Sequence, residues 1–266
     1  MSRLALALVA LALSLPASAL DHSHQAWQAL LARHVRYLPG GNASQVAYAD
    51  FMKERAALRR VLDEYQAVTR AEFDGWSKAE QQAFLINAYN ALTIEKVLRR
   101  YPNLKSIRDY GTLFGNPWKD RFFRLLGEPA HLDQIEHEIL RREGAYDEPR
   151  VHVAVVCASI GCPMLRNEAF VAARLEAQLE DAMRRFLSDR TRNRYDPKSG
   201  KLEVSRIFDW YGKDFERGHK GYTSVKATLA KYAELLADRP EDRAAVREQR
   251  AAIAFLDYDW GLNDAR

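Results

Sequence analysis

The chain has 266 residues, 47% hydrophobic and 29% charged, with 40 basic against 36 acidic side chains and a formal net charge of +4. That composition belongs to a folded globular chain and excludes a disordered one. The two signs are interspersed, so no concentrated Lys/Arg face marks nucleic acid as a partner. The most basic run, Arg190 to Arg194, reads as a solvated loop.

In chain order, residues 1–19 carry one charge at Arg3, an apolar run from Leu4 to Leu15 and then Ala17-Ser18-Ala19, the small-x-small pattern of a cleavable signal peptide. The run is shorter than the roughly 20 residues a membrane-spanning helix needs. A periplasmic or secreted, not membrane-spanning protein is expected, with residues 20–266 as one domain. Helices are predicted over His22 to Val35 and Phe51 to Tyr65, each with apolar residues at helical spacing. Ser77-Lys78-Ala79-Glu80 is a capping box for a helix that runs toward Pro102, and Asp133-Gln134-Ile135-Glu136 opens a shorter one that Gly144 ends. Phe122 and Phe123 suit a short strand, and VHVAVVC, Val151 to Cys157, reads as a buried one. Asn167 opens an amphipathic helix from Glu168 to Leu187, and Tyr195 to Val204 reads as a hairpin around Asp196-Pro197 and Ser199-Gly200. Ser205 caps IFDWYGKDF, Thr223 to Leu236 is helical, and AIAFLDYDW suits a last strand. The expected fold class is α+β: a predominantly helical single domain with a small β-sheet.

Two helical stretches carry polar residues where burial is expected. In Ala83 to Leu98 apolar side chains occupy nearly the whole circumference, yet Asn87, Asn90 and Thr93 collect on one flank. A buried carboxamide without partners costs on the order of 1–3 kcal/mol. The asparagines therefore hold a neighbouring loop or meet a ligand, the first reading ranking above the second. In His131 to Arg142 the helical wheel puts Glu136 inside the apolar face and His137 on its edge. A buried carboxylate demands a cation or donor, with Arg141, Arg150 or an imidazole as candidates, and the pair reads as an internal salt link or as an acid beside a proton-shuttling histidine.

Cys157 and Cys162 flank the small turn Ala158-Ser159-Ile160-Gly161. On a regular strand His152 and Cys157 face opposite sides, so a Cys/His pair needs Cys157 beyond the strand end, or Cys162, or His137. A disulfide suits an exported chain with two cysteines, and a thiolate nucleophile at a strand end is the second reading. A metal site with His137 or His152 ranks last, since the spacing fits no zinc pattern. Trp210, Tyr211, Tyr258 and Trp260 read first as packing aromatics and second as a binding surface, and Asp209 and Asp214 as helix-surface acids. No cofactor is indicated.

NAYNALTI (Asn87 to Ile94), IEHEILR (Ile135 to Arg141), PRVHVAVVCASIGCP (Pro149 to Pro163) and SRIFDWYGKDF (Ser205 to Phe215), in that order, resemble the family called domain of unknown function 547. The ending LDYDWGLN, Leu256 to Asn263, is similar to the closing segment of its bacterial exported members. The resemblance covers about Ala83 to Phe215 plus residues 256–263. It implies one helix-rich α+β domain in which Asn87, Asn90, Glu136, His137, Arg141, His152, Cys157 and Cys162 converge on one pocket or buried polar core. It implies no activity. Two functions remain: an accessory or ligand-binding domain of the bacterial envelope whose partner is a small molecule or an envelope peptide or protein, or a thiol-dependent hydrolase or acyl/peptidyl transferase of papain-like or transglutaminase-like chemistry. In the second, Cys157 or Cys162 is the nucleophile, His137 or His152 the base and Glu136 or an asparagine the orienting group.

Overall fold

A computed structural model describes residues 19–110 and 116–265. The signal-peptide reading lies, but for Ala19, outside the described residues.

The fold is built around the helix Lys78–Leu98. Its capping box forms: the Glu80 amide donates to the Ser77 hydroxyl at 3.3 Å and the Ser77 amide to the Glu80 carboxylate at 2.8 Å. A helix apolar on all sides has to be surrounded, and every residue from Gln81 to Leu98 is buried. Tyr48–Lys53, Arg55–Ala67, Gln134–Leu140 and Ala172–Arg174 pack against it, and Phe84, Leu85 and Ile86 lose all solvent contact. A second apolar cluster gathers Met183, Phe186 and Leu187 of the helix Leu175–Ser188 with Phe208, Phe215, Leu229 and Leu236. It is backed by a three-stranded sheet in which Arg194–Asp196 pairs antiparallel with Lys201–Val204, and Lys201–Val204 pairs parallel with Ala252–Phe255. Two hairpins, Val35–Tyr37 with Ser44–Val46 and Phe123–Leu125 with Glu128–Ala130, complete the strands among the described residues. The class is α+β and mainly helical. No helix among the described residues is long and apolar enough to cross a membrane.

Several boundaries differ from the sequence reading. The helix expected over Phe51 to Tyr65 is two, Tyr48–Lys53 and Arg55–Ala67, parted at Glu54. The helix expected from Glu168 starts at Leu175, because Asn87 holds Phe170 by both backbone groups, donating to its carbonyl at 2.8 Å and accepting from its amide at 3.0 Å. The last strand stops at Phe255, and residues 256–263 continue as irregular chain.

VHVAVVC is not a strand. Pro149 occupies the first turn of a 3-10 helix, Pro149–Val153, which the Glu148 side chain caps by accepting from the Arg150 amide. Val151, Val153, Val155 and Val156 are all buried, which produces the strand-like apolar run without a partner strand. The turn that follows is satisfied by a side chain instead: Asn90 donates to the Ala154 carbonyl and accepts from the Val156 amide, both at 2.9 Å. The basic run at 190–194 is also tied down rather than free in solvent. Arg190 reaches Asp238 at 2.8 Å, Arg194 reaches Glu203 at 2.6 Å, and Arg192 donates to the Cys162 carbonyl.

Candidate functional site

A cleft of about 360 Å³ opens where the two apolar clusters meet. Glu136, His137, His152, Cys157 and Cys162 all line it. The other sequence candidates do not. Asn87 and Asn90 serve the backbone at Phe170 and at 154–156. Arg141 stands behind the cleft, bound to Asp214 at 2.6 Å and to His137 Nδ1 at 2.6 Å. Arg150 belongs to a separate ion cluster with Glu148, Glu176 and Glu180.

Glu136 sits on Gln134–Leu140, a π-helical segment; such windings widen a turn and recur at functional sites. The donor it needs is a hydroxyl, the Tyr89 phenol at 3.0 Å, rather than Arg141 or Arg150. Its other oxygen lies 3.8 Å from His152 Nδ1. His152 is fully enclosed. Its Nε2 lies 2.8 Å from the Asp214 carboxylate, its ring is stacked on Tyr211 with centroids 3.9 Å apart and planes 14° apart, and Nδ1 has no hydrogen-bond partner. Burial pushes its pKa down against the opposing pull of Asp214 and Glu136. Burial alone would raise the Asp214 carboxyl, but the bonds from His152 and Arg141 hold it well below the usual carboxylate range. Burial also pushes the Tyr211 phenol far up, with the Glu136 charge adding to it.

The thiols occupy the other end. They are free and not joined, which corrects the expected disulfide. Cys157 lines the cleft half-buried, and Cys162 lines it buried, at 5% exposure. The Cys157 amide donates to the Cys162 sulfur at 2.9 Å. The Cys157 sulfur meets the Tyr258 hydroxyl at 3.1 Å and the Ser159 hydroxyl at 3.4 Å. No hydrogen bond joins either sulfur to His137 or His152: these histidines bond to Arg141 and Asp214 instead. The Cys162 thiol's hydrogen bond, together with those of Ser159 and Tyr258, outweighs burial and brings Cys157 down to about 7. Cys162 goes the opposite way, raised by burial and by the neighbouring Cys157 sulfur.

The thiol turn takes its shape from the C-terminal segment. Ala158 adopts a left-handed conformation at φ 64°. Ile160 and Gly161 donate to the carbonyls of Gly261 and Asp259 at 2.8 Å each, and Asn263 donates to the Ala158 carbonyl at 3.1 Å. A Cβ on Gly161 would come within 2.9 Å of the Asp259 backbone, so only glycine fits there. The same segment supplies Tyr258 and Trp260, which with Trp210 and Trp118 form an aromatic wall: Tyr258 and Trp260 have centroids 4.5 Å apart, Trp210 and Trp260 5.7 Å, and Trp118 and Trp260 6.0 Å.

Asp214, Tyr89 and Ser159 were not anticipated as site residues, and Tyr211 and Tyr258 ranked as packing ahead of a binding surface. Asp214, expected on a helix surface, is 5% exposed, because Ile207–Trp210 and Gly212–Phe215 are two short turns rather than one regular helix and the second points its acid inward. The signal available in the sequence was an aspartate between two aromatics, Tyr211 and Phe215, of the segment IFDWYGKDF.

Residues 73–187 match a family model described as protein of unknown function, DUF547. That stretch holds Glu136, His137, His152 and both cysteines but ends before Tyr211, Asp214, Tyr258 and Trp260. No curated protein and no solved structure matches the chain.

Proposed function

The chain belongs to the DUF547 family, and on that premise we propose that it is a ligand-binding domain of the bacterial envelope whose cleft takes a small molecule or a short peptide segment. The carrying observation is that the aromatic wall of Trp118, Trp210, Tyr258 and Trp260 and the carboxylates of Glu136 and Asp133 line one cleft of about 360 Å³. Enclosure by aromatic rings with a few fixed polar groups is the usual make-up of a small-molecule site. The ligand that fits has one flat apolar face for the rings and hydrogen-bond donors for the two carboxylates. Export to the envelope is supported by the apolar run at Leu4 to Leu15 and by Ala17-Ser18-Ala19.

The test is titration of intrinsic tryptophan fluorescence with N-acetylated sugars, amines and short peptides. Saturable quenching by one class is expected, weakened about tenfold in Trp260→Ala, which corresponds to roughly 1.4 kcal/mol of lost contact, and also weakened in Glu136→Gln. Quenching unchanged in both variants, or none with any class, overturns the reading. For export, the protein is expected in the periplasmic or secreted fraction, beginning at Leu20; a cytosolic protein retaining Met1 overturns that part.

The thiol-hydrolase reading has one observation in its favour, the Cys157 thiol held down to about 7. Acyl transfer also needs an acid to protonate the leaving group, and the hydroxyls of Tyr258 and Ser159 are the partners at this sulfur. Binding is therefore the function on which the cleft is read.

A further inference from the structure

We propose that Cys157 and Cys162 form a dithiol couple that exchanges with disulfides of peptides entering the cleft, Cys157 attacking and Cys162 resolving. The inference goes beyond the binding reading and rests on it only for where the substrate sits. Three observations carry it. The sulfurs are free and adjacent, since the Cys162 sulfur accepts from the Cys157 amide at 2.9 Å. They are unequally exposed in the cleft lining, Cys157 half-buried and Cys162 buried. And Cys157 is supported by hydroxyls at 3.1 and 3.4 Å that stabilise a thiolate, while no imidazole contacts it.

That last feature separates exchange from acyl transfer. A thiolate attacking a disulfide expels another thiolate, which needs no general acid and no oxyanion donors, whereas an amine or alkoxide leaving group needs a proton. The geometry provides what exchange requires, and no imidazole is hydrogen-bonded to the sulfur to supply the proton that the alternative needs. Ile160 at the tip of the turn and Trp210 of the cleft lining are 44% and 45% exposed, apolar surface suited to residues flanking a peptide disulfide.

The steps balance. The Cys157 thiolate attacks one sulfur of the substrate disulfide; a bond forms between Cys157 Sγ and that sulfur, the substrate S–S bond breaks, and the first substrate thiolate leaves and takes a proton from water. Cys162 then loses its proton to water, and its thiolate attacks Cys157 Sγ. The intramolecular disulfide forms, the mixed disulfide breaks, and the second substrate thiolate leaves to be protonated. The protein is oxidised by two electrons and the substrate reduced by two. The pKa pattern agrees with the order of attack, since the more exposed thiol is the acidic one and the buried thiol the reluctant one.

Reduced, desalted full-length protein is mixed with glutathione disulfide at pH 7 and followed by intact-mass and peptide-mapping mass spectrometry. Wild type is expected to lose two hydrogens, release two glutathione thiols and accumulate no adduct. Cys162→Ser is expected to stop at a single glutathione adduct on Cys157, and Cys157→Ser to react more than about tenfold more slowly, because the remaining thiol is protonated and buried. An adduct that persists on wild type, an adduct that maps to Cys162, or inertness of the wild-type protein overturns the proposal. Circular dichroism of each variant separates a lost thiol from a lost fold. Exchange reads the sulfurs and the fluorescence titration reads the aromatic wall, so either reading fails without the other.

Discussion

Two charged clusters meet the 3-10 helix Pro149–Val153, one through Arg150 and one through His152, and they are built on opposite principles. Around Arg150 every charge is answered: Glu148 at 2.7 Å, Glu176 at 2.8 Å and Glu180 at 3.3 Å, with Lys220 closing the outside at 2.8 Å from Glu176. Around His152 the accounting is incomplete. Asp214 is held by Arg141 and His152, but His152 Nδ1 has no hydrogen bond and faces Glu136 at 3.8 Å. A void of only about 20 Å³ lies between the two, lined by Glu148 of the first and by Arg141 and Asp214 of the second, and the second alone also borders the 360 Å³ cleft. Charge that is fully paired and has no space beside it serves the fold. Charge left short of a partner at the edge of a cavity is available to something that enters.

The largest test of that contrast is Arg150→Met. It strands the buried Glu148 carboxylate, itself 6% exposed, and breaking a buried pair from one side costs about 3–5 kcal/mol. The urea midpoint should fall accordingly, while the alkylation rate of Cys157 in the still-folded protein stays at the wild-type value. A thiol rate that moves with the midpoint would merge the two clusters into one network.

Asp214→Asn is the matching change in the other cluster, with an expected loss of roughly 1.5–3 kcal/mol for bonds to a buried charge. It should differ in kind as well, by freeing the His152 ring to turn. Loss of the slowly exchanging imidazole proton signal in the NMR spectrum is the readout, and its persistence would remove Asp214 as the group that positions His152.

Acid separates the clusters without mutation. His152 has its pKa depressed by burial, and His24, buried beside Tyr65, is lowered from 6.5 to about 4 by burial first and His22 second. Between those values the unfolded chain binds the protons that the folded chain refuses, so stability rises with pH. The contribution is complete above about pH 6.5 and is lost as pH falls toward 4, on the order of 3 kcal/mol for His24 alone. The Arg150 cluster contains no histidine; its Glu176 carboxyl, lowered by the bonds from Lys220 and Arg150 against an ordinary value of 4.5, enters the slope only at the acid end of this range. Denaturation midpoints at pH 7, 6 and 5 should therefore fall steadily, with His24→Gln flattening most of the decline; a flat wild-type profile would contradict the burial of both rings.

What the sequence disclosed follows the range of the interactions. The box at Ser77 and Glu80 spans three residues, and it formed as read. Glu136 was legible as an acid in need of a donor from its own helical wheel. The identity of the donor was not, because Tyr89 lies 47 residues away on another helix. Asp214 and His152 are 62 residues apart and Tyr258 and Cys157 are 101 apart, so neither pair leaves a local pattern. The misread strand at Val151 to Cys157 has a similar origin. A valine-rich run buried on every side carries no period that distinguishes an extended ladder from a 3-10 turn followed by chain that Asn90 satisfies. The thiol turn was visible as small residues around Gly161, but the segment that shapes it came from the far end of the chain.

The smallest expected effect is at that junction. Tyr258→Phe removes one of the two hydroxyls at the Cys157 sulfur and leaves the ring against Trp210 and Trp260. A neutral hydrogen bond contributes about 0.5–1.5 kcal/mol, and the ring packing is kept, so the unfolding midpoint should barely move. The thiolate loses a donor that its protonated form needs less, so the Cys157 pKa should rise by less than about one unit, which at 1.36 kcal/mol per unit matches the same bond. Iodoacetamide alkylation against pH reads it directly: the wild-type inflection, expected near 7, should move upward in the variant and the rate at pH 7 fall a few-fold, with the plateau at high pH unchanged. A plateau that falls as well would mean Tyr258 shapes access to the sulfur rather than its charge, and the open cluster would then owe its reactivity to the aromatic wall.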